Sequence, residues 1–368
     1  MMSTHSTVFG EVDSPRHEAD LYDRLENRRV QCNVCLRRCI VADGRAGYCF
    51  TRRNEGGRMV TLIYGAVSTW SVAPIEIKPL YHFYPGSHAL SFGSFGCNFR
   101  CIGCQNWEIA HVGPTRLGVK ERRVTLDRAV RISPAQSVEM ALRHGCQGLS
   151  WTYNEPALWL EYATEAARLA KRRGLYTNFV TNGALTPEAL DYIGPSLDGF
   201  RVDLKGSRSH TYRRLANFRA LDELLETIER AHRMWKMHVE VVTNVTPGYN
   251  DSKEELHGIA RFIATRLGPD VPWHVTRFVP HLRLSHLPLT PVGTLEVACE
   301  IGRREGLKYV YIGNVSGHPA NHTYCPECGH RVIERRVHGV VSISLVKGRC
   351  PACGTSIPII GLSPMDVA

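Results

Sequence analysis

The sequence runs Gly96-Cys97-Asn98-Phe99-Arg100-Cys101-Ile102-Gly103-Cys104-Gln105-Asn106 directly after an apolar run, 89–95, that predicts a β-strand. The three cysteines fall at the spacing C-x3-C-x2-C. Thiolates are the usual ligands of iron–sulfur clusters, and a cluster of four irons normally takes four of them. Three close cysteines without a nearby fourth would leave one iron open to a small molecule, as a catalytic zinc keeps an open position. The alternative is a zinc knuckle that borrows a remote fourth ligand.

The chain beyond this loop alternates between short apolar runs and helix-like stretches, as βα units do. The predicted strands of this region are 89–95, 148–152, 175–180, 199–204, 238–245 and 273–279, with a last one at 309–312. Unusual polar clusters follow the strands, which is where β/α barrels carry their chemistry. The alternation predicts an α/β fold, either a complete or partial barrel or a doubly wound open sheet.

Two further groups of cysteines flank this region. In a segment of residues 1–60, Cys32, Cys35, Cys39 and Cys49 have the spacing C-x2-C-x3-C-x9-C. Four thiolates this close suit either zinc or an iron–sulfur cluster, and the spacing does not choose between them. Before them, 19–27 is a short helix candidate.

The tail, 319–368, repeats the motif CPxCG. Cys325, Cys328, Cys350 and Cys353 form two C-x2-C knuckles, a spacing typical of zinc ribbons. We therefore expect a zinc-ribbon-like domain there, with a four-cysteine zinc site that stabilises a unit too small to fold on its own core. The region between, 61–318, is the expected catalytic domain.

The composition of the chain bears on where the protein acts and on what it binds. The chain has 368 residues, 43% of them hydrophobic, and no apolar run approaches the ~18 residues of a spanning helix. Its start is polar, without the apolar core of a signal peptide, so we expect a cytoplasmic protein that does not enter the membrane. The net charge of +10 is dispersed, which makes nucleic acid a disfavoured partner. Cys146 and Cys299 stand alone and are most simply buried apolar residues.

Several blocks together resemble one group, the radical S-adenosylmethionine (SAM) enzyme of the AmmeMemoRadiSam system, which is similar to pyruvate formate-lyase-activating enzymes. The resemblance covers the chain from about residue 30 to its end. The blocks that carry it are the N-terminal cysteines, 74–86, 96–108, Tyr153-Asn154-Glu155-Pro156, Thr181-Asn182-Gly183, Asp203-Leu204-Lys205, 272–278 and 311–315. It implies a partial (β/α)6 barrel with the cluster in the loop after its first strand.

The resemblance also implies residue roles. Cys97, Cys101 and Cys104 would hold a [4Fe-4S] cluster, whose fourth iron is chelated by the methionine amino and carboxylate groups of SAM. The implied SAM contacts are Asn154 and Glu155 at the amino group, Asp203 and Lys205 near the ribose and carboxylate, Thr181 and Asn182 after the third strand, and His281. We assign no catalytic acid or base, because the first chemical step needs none.

The expected activity is reductive cleavage of SAM to a 5′-deoxyadenosyl radical, which abstracts hydrogen from an unidentified small molecule or protein. The electron donor would be a flavodoxin or ferredoxin, and the other two proteins of the system would be partners. One alternative is an activase of a glycyl radical enzyme. The other is a zinc-ribbon protein that binds or modifies RNA, which would draw on the basic charge and the tail.

Overall fold

The computed structural model describes residues 17–113, 129–336 and 339–362. The strands, numbered along the chain, are β1 (His17–Glu18), β2 (Tyr22–Arg24), β3 (Val30–Cys32), β4 (Ile40–Val41), β5 (Arg52–Glu55), β6 (Arg58–Thr61), β7 (Ala66–Val67), β8 (Thr69–Pro74), β9 (His88–Gly93), β10 (Val130–Arg131), β11 (Gly148–Trp151), β12 (Tyr176–Thr181), β13 (Gly199–Asp203), β14 (His238–Val245), β15 (Trp273–Arg277), β16 (Val310–Gly313), β17 (Thr323–Tyr324), β18 (Arg331–Arg336) and β19 (Gly339–Ile343). The α-helices are α1 (Trp107–Ala110), α2 (Pro134–Arg143), α3 (Leu160–Arg172), α4 (Pro187–Ile193), α5 (Ser209–Ala216), α6 (Leu221–Arg233), α7 (Lys253–Phe262) and α8 (Val292–Arg304).

One large sheet organises the chain. Its strand order is β16-β15-β14-β13-β12-β11-β9-β8, and every neighbouring pair from β9 to β16 is parallel. The edge strand β8 pairs with β9 in the antiparallel sense. The parallel strands follow one another in chain order without the reversal that marks a doubly wound sheet. The predicted α/β fold with a parallel, barrel-type sheet is confirmed.

The helices begin where local sequence supplies a cap. Ser133 and Gln136 form a reciprocal capping box at the start of α2, with Pro134 in the first turn. In α6 the apolar residues Leu221, Leu224 and Ile228 are buried, as their 3.6-residue period predicts. The cap of α7 is Ser252, whose side chain accepts from the Glu255 amide.

The two faces of the sheet differ in chemistry because strand side chains alternate. One face packs on the helices through apolar residues such as Trp151, Phe179 and Val241. The other carries buried polar residues, among them Asn178, which donates to Ser150 Oγ at 3.0 Å, and His274, whose Nε2 lies 2.6 Å from a Glu240 carboxylate oxygen. The polar face leads to the ends of the strands where the predicted site residues lie.

The N-terminal segment is built from small antiparallel sheets, β2-β3-β4 and β1-β6-β5. The helix expected over 19–27 is wrong, because that stretch contains β2, paired with β3. The stretch has too few apolar residues at helical spacing to bury a helix face, whereas pairing with β3 satisfies its backbone hydrogen bonds. The segment docks on the barrel through a bridge between Cys35 and Leu185 and through Thr186 Oγ1, which donates to the Asn33 carbonyl at 2.6 Å.

The C-terminal segment contains the antiparallel sheet β17-β18-β19. Its small core includes Val332, Ile333 and Leu345 and is continuous with Tyr81 and Tyr311 of the preceding region. The boundaries predicted at residues 60 and 318 remain predictions. No helix in the described part of the chain has the length and apolarity needed to span a membrane.

Candidate active site

The three-cysteine loop leaves the sheet at the end of β9. Gly96 has φ of +81°, and a Cβ there would lie 2.5 Å from Thr51 Cγ2 and 2.9 Å from the Cys49 carbonyl oxygen. Only glycine fits this backbone and this close approach. Asn154 fixes the same turn, since its Oδ1 accepts from the Ser94 amide and its Nδ2 donates to the Gly96 carbonyl, each at 2.9 Å. Both ends of the Asn154 side chain are therefore used to hold the loop.

The three cysteines of this loop are half-buried. Burial raises the pKa of Cys104 to about 12 and also raises the pKa of Cys97 and Cys101. Two donors face the Cys97 sulfur, the Phe99 amide at 3.3 Å and Asn182 Nδ2 at 3.7 Å. Such hydrogen bonds favour a thiolate, the form in which cysteine binds a metal.

A chain of charges runs along the end of β13. Lys205 Nζ donates to Asp203 Oδ2 at 3.2 Å, and Arg201 donates to the other carboxylate oxygen of Asp203. Burial opposes the charge on Lys205, but Asp203 and the neighbouring Cys101 outweigh it and raise the lysine pKa. Burial likewise opposes the charge on Asp203, but Arg201 and Lys205 outweigh it and lower the pKa of that carboxyl. Both groups therefore stay ionised beside the cysteine loop.

Glu155 brings the ends of two other strands together. Its carboxylate accepts from Thr181 Oγ1 at 2.7 Å, from the Asn182 amide at 2.8 Å and from the Ala157 amide at 3.0 Å. Burial raises the pKa of Glu155 to about 7, although these three donors oppose the shift. Asn182 extends the group to the cysteine loop, because its Nδ2 also donates to Asn98 Oδ1 at 2.7 Å.

His281 stands apart from this group. It precedes a short 3₁₀ turn, Leu282–Leu284, that covers the cysteine loop through the Arg283 amide, which donates to the Ile102 carbonyl at 3.0 Å. Within the described residues, no hydrogen bond joins the His281 ring to the other predicted contacts. Its assignment remains a prediction.

The tail cysteines form a compact group of their own. The sulfurs of Cys325, Cys328, Cys350 and Cys353 all lie within 4.8 Å of one another. Two of the pairs, Cys325 with Cys353 and Cys328 with Cys350, are 3.5 and 3.6 Å apart. This set could hold one metal ion. The N-terminal cysteines are also brought together, around one buried cavity.

Comparison with known proteins identifies the family. The radical SAM superfamily matches residues 92–263, which begin in β9 and include all three cysteines of the loop. The uncharacterised protein MJ0808 of Methanocaldococcus jannaschii is 36% identical over 345 residues, 93% of this chain and 99% of that protein. This chain belongs to the radical SAM superfamily. Superfamily membership implies an enzyme with a [4Fe-4S] cluster and SAM.

Two solved structures resemble part of this chain. A domain of a pyruvate-formate lyase-activating enzyme from Bacteroides vulgatus is 16% identical with a TM-score of 0.39, covering 45% of this chain and 99% of that one. A radical SAM methyltransferase from Sphaerobacter thermophilus is 16% identical with a TM-score of 0.46, covering 64% and 68%.

The residues of this radical SAM chain suit the implied cluster and cosubstrate. Three half-buried thiols with hydrogen-bond donors at Cys97 supply sulfur ligands, and three are fewer than the four that a cubane takes. Lys205 supplies a cation beside them and Asp203 and Glu155 supply carboxylates. This donor set fits a cluster together with a zwitterionic amino acid group.

Sequence reasoning missed two basic residues near the radical SAM loop. Arg201 lies two residues before Asp203 on the same strand face, a relation that alternation along β13 could have indicated. Lys78 is buried beneath the Tyr153 ring, with its Nζ 5.4 Å from the ring centroid, and burial lowers its pKa to about 8. No sequence pattern pointed to Lys78, because the turn that buries it precedes the barrel.

Proposed function

We propose that this protein reductively cleaves SAM and uses the resulting radical to abstract hydrogen from a small-molecule or protein substrate. When bound, the [4Fe-4S] cluster supplies one electron to the C–S bond of SAM, which yields a 5′-deoxyadenosyl radical. The observation that carries the proposal is the convergence of three half-buried thiols, an ionised Lys205–Asp203 pair and the buried Glu155 at neighbouring strand ends. These are the groups that a cluster and the methionine end of SAM require together.

The protein's own part is to bind, orient and exclude water. Lys205 offers an ammonium to the SAM carboxylate, and Asp203 offers carboxylate oxygens to hydroxyl groups such as those of ribose. Glu155 is held by three donors. In this proposal it receives the SAM amino group together with the adjoining backbone. Thr181 and Asn182 orient Glu155, and Asn154 holds the loop that carries the cysteines.

We further propose that the enzyme works in the AmmeMemoRadiSam system, with its two other proteins as partners and a flavodoxin or ferredoxin as the electron donor. The support is the set of sequence blocks between residues 32 and 315, in particular the stretch 74–86. That stretch is bonded to β14, where Glu240 accepts from the Tyr81 and His82 amides at 3.0 and 2.7 Å. It therefore packs against the barrel strands.

The decisive experiment is anaerobic reconstitution with iron and sulfide, reduction with dithionite, and chromatography for 5′-deoxyadenosine after SAM is added. We expect product from the native protein and none from Cys101→Ser, with both proteins folded by circular dichroism. Cys146→Ser is the matched control, since Cys146 is buried and belongs to none of the three cysteine groups. Equal product from Cys101→Ser and the native protein would refute the assignment of the loop.

A further inference from the structure

The N-terminal cysteines surround one shared cavity. Cys32, Cys35, Cys39 and Cys49 all line it, and its volume is about 10 Å³. That is about the space one water molecule requires. Four cysteines around one enclosed space suit either a single metal ion or an iron–sulfur cluster.

The tail cysteines provide an internal standard for a single-ion site. Their four sulfurs lie within 4.8 Å of one another, with pairs at 3.5 and 3.6 Å. Within the described residues, the tail cysteines form a group close enough to share one ion, and neither the N-terminal set nor the radical SAM loop forms such a group. In a [4Fe-4S] cluster each cysteine binds a different iron, so the cysteine sulfurs stand farther apart than they do around a single ion. By this measure the N-terminal set resembles the cluster loop.

Each N-terminal sulfur also has a hydrogen-bond donor. Backbone amides of Val34, Arg37 and Tyr48 face the sulfurs of Cys32, Cys35 and Cys39 in that order. Thr51 Oγ1 donates to Cys49 Sγ at 3.3 Å. Donors around cysteine sulfur stabilise the thiolate and adjust the potential of a cluster.

The cavity shares its walls with the radical SAM loop. Asn98, the residue after Cys97, lines the cavity, and its Oδ1 lies 3.8 Å from Cys97 Sγ. Arg100 donates to the Cys97 carbonyl at 2.7 Å and to the Tyr48 carbonyl at 2.9 Å. Asn98 and Arg100 therefore connect the N-terminal cavity to the radical SAM loop.

We propose that Cys32, Cys35, Cys39 and Cys49 hold a second iron–sulfur cluster, with more than one iron, directly beside the radical SAM cluster. The tail cysteines hold zinc. This inference concerns metal content and proximity, so it stands or falls independently of SAM cleavage.

The first test isolates the N-terminal set in the full chain. The variant Cys97→Ala/Cys101→Ala/Cys104→Ala is reconstituted anaerobically with iron, sulfide and zinc supplied together, then desalted and analysed for each. We expect several irons with sulfide and one zinc per chain, and the loss of that iron when Cys35→Ala is added. Two zincs without iron would overturn the proposal.

The native protein gives a second test that does not depend on the folding of the triple variant. We expect more than four irons and one zinc per chain, because the two clusters together exceed a single cubane. Four irons with two zincs would refute it. After dithionite reduction, electron paramagnetic resonance should show spectra broadened by spin coupling between neighbouring clusters. Cys35→Ala should remove the coupling and Cys146→Ala should retain it, whereas uncoupled signals in the native protein would overturn the placement.

Discussion

The two four-cysteine segments are attached to the same barrel by different chemistry. The N-terminal segment is fixed by the buried Arg52–Glu161 ion pair, in which Arg52 Nη1 donates to Glu161 Oε1 at 2.9 Å. The C-terminal segment is attached through hydrogen bonds to backbone carbonyls: the buried Arg335 donates to the Tyr81 carbonyl at 2.8 Å, and His82 lies between Tyr311 and the Pro358 carbonyl. The N-terminal cysteines are largely buried, whereas Cys328 and Cys353 of the tail are exposed. The difference indicates that the N-terminal site is integrated with the catalytic loop and the tail site is a local structural staple.

The largest expected effect follows from loss of the tail metal. Cys325→Ser should remove that metal and unfold residues 319–362, because the binding free energy of a structural zinc, ~10 kcal/mol or more in small domains, is also their folding free energy. Hydrogen exchange should show the loss of protection there, while the absorption of the central cluster remains. Loss of the central signal as well would show that the tail and the barrel fold as one unit.

The ion pair predicts the next effect. Arg52→Met should lower the free energy of unfolding by about 3–5 kcal/mol, because it leaves the Glu161 carboxylate buried without its partner. Urea unfolding monitored by fluorescence would measure the change. Arg38→Met is the matched control, since Arg38 pairs with Glu188 at 2.8 Å on the surface and its loss should cost about 1 kcal/mol or less. Similar losses for both variants would contradict the distinction between the two attachments.

The fold could be predicted from the sequence where the spacing of apolar residues and the residues that end each element agreed. Each parallel strand was predicted to within a few residues, because a buried apolar run ended at a polar cluster. The short strands before residue 62 were not, since pairs of two or three residues carry no periodic signal and 19–27 resembled a helix. The partners of Glu155 needed the structure, because Thr181 and Asn182 lie on a different strand and only the barrel register brings them together. Sequence spacing gave all three cysteine sets but not the distances between sulfurs, which depend on tertiary packing.

The stability of the protein should depend on pH through the buried His82. Burial lowers the pKa of His82 to about 3, so the unfolded chain takes up a proton near pH 6.5 that the native state rejects. The contribution of neutral His82 to the free energy of unfolding is fully present above pH 6.5. It is lost as the pH falls, by about 1.4 kcal/mol per pH unit, or ~3 kcal/mol at pH 4.5. Glu240, whose pKa is held well below its usual range by His238 and His274 against the effect of burial, acts in the same direction.

His82→Asn tests this attachment. Its unfolding free energy should fall less steeply between pH 6.5 and 4.5 than that of the native protein, although its stability at neutral pH is lower. The exposed His88→Asn should leave the slope unchanged. Equal slopes for the native protein and His82→Asn would show that the segment is not held by this histidine.

The smallest expected effect compares one hydrogen bond at each four-cysteine site, because both sites have a threonine hydroxyl two residues after a cysteine. Thr51 Oγ1 donates to Cys49 Sγ at 3.3 Å, and Thr355 Oγ1 lies 3.2 Å from Cys353 Sγ. Each Thr→Val change removes one hydrogen bond, worth about 1 kcal/mol. In the variant lacking Cys97, Cys101 and Cys104, we expect Thr51→Val to lower the midpoint potential, because loss of a donor destabilises the more negative, reduced cluster. Thr355→Val should leave that potential unchanged, since zinc has no redox chemistry. A potential that moves with Thr355→Val and not with Thr51→Val would reverse the assignment of the two sites.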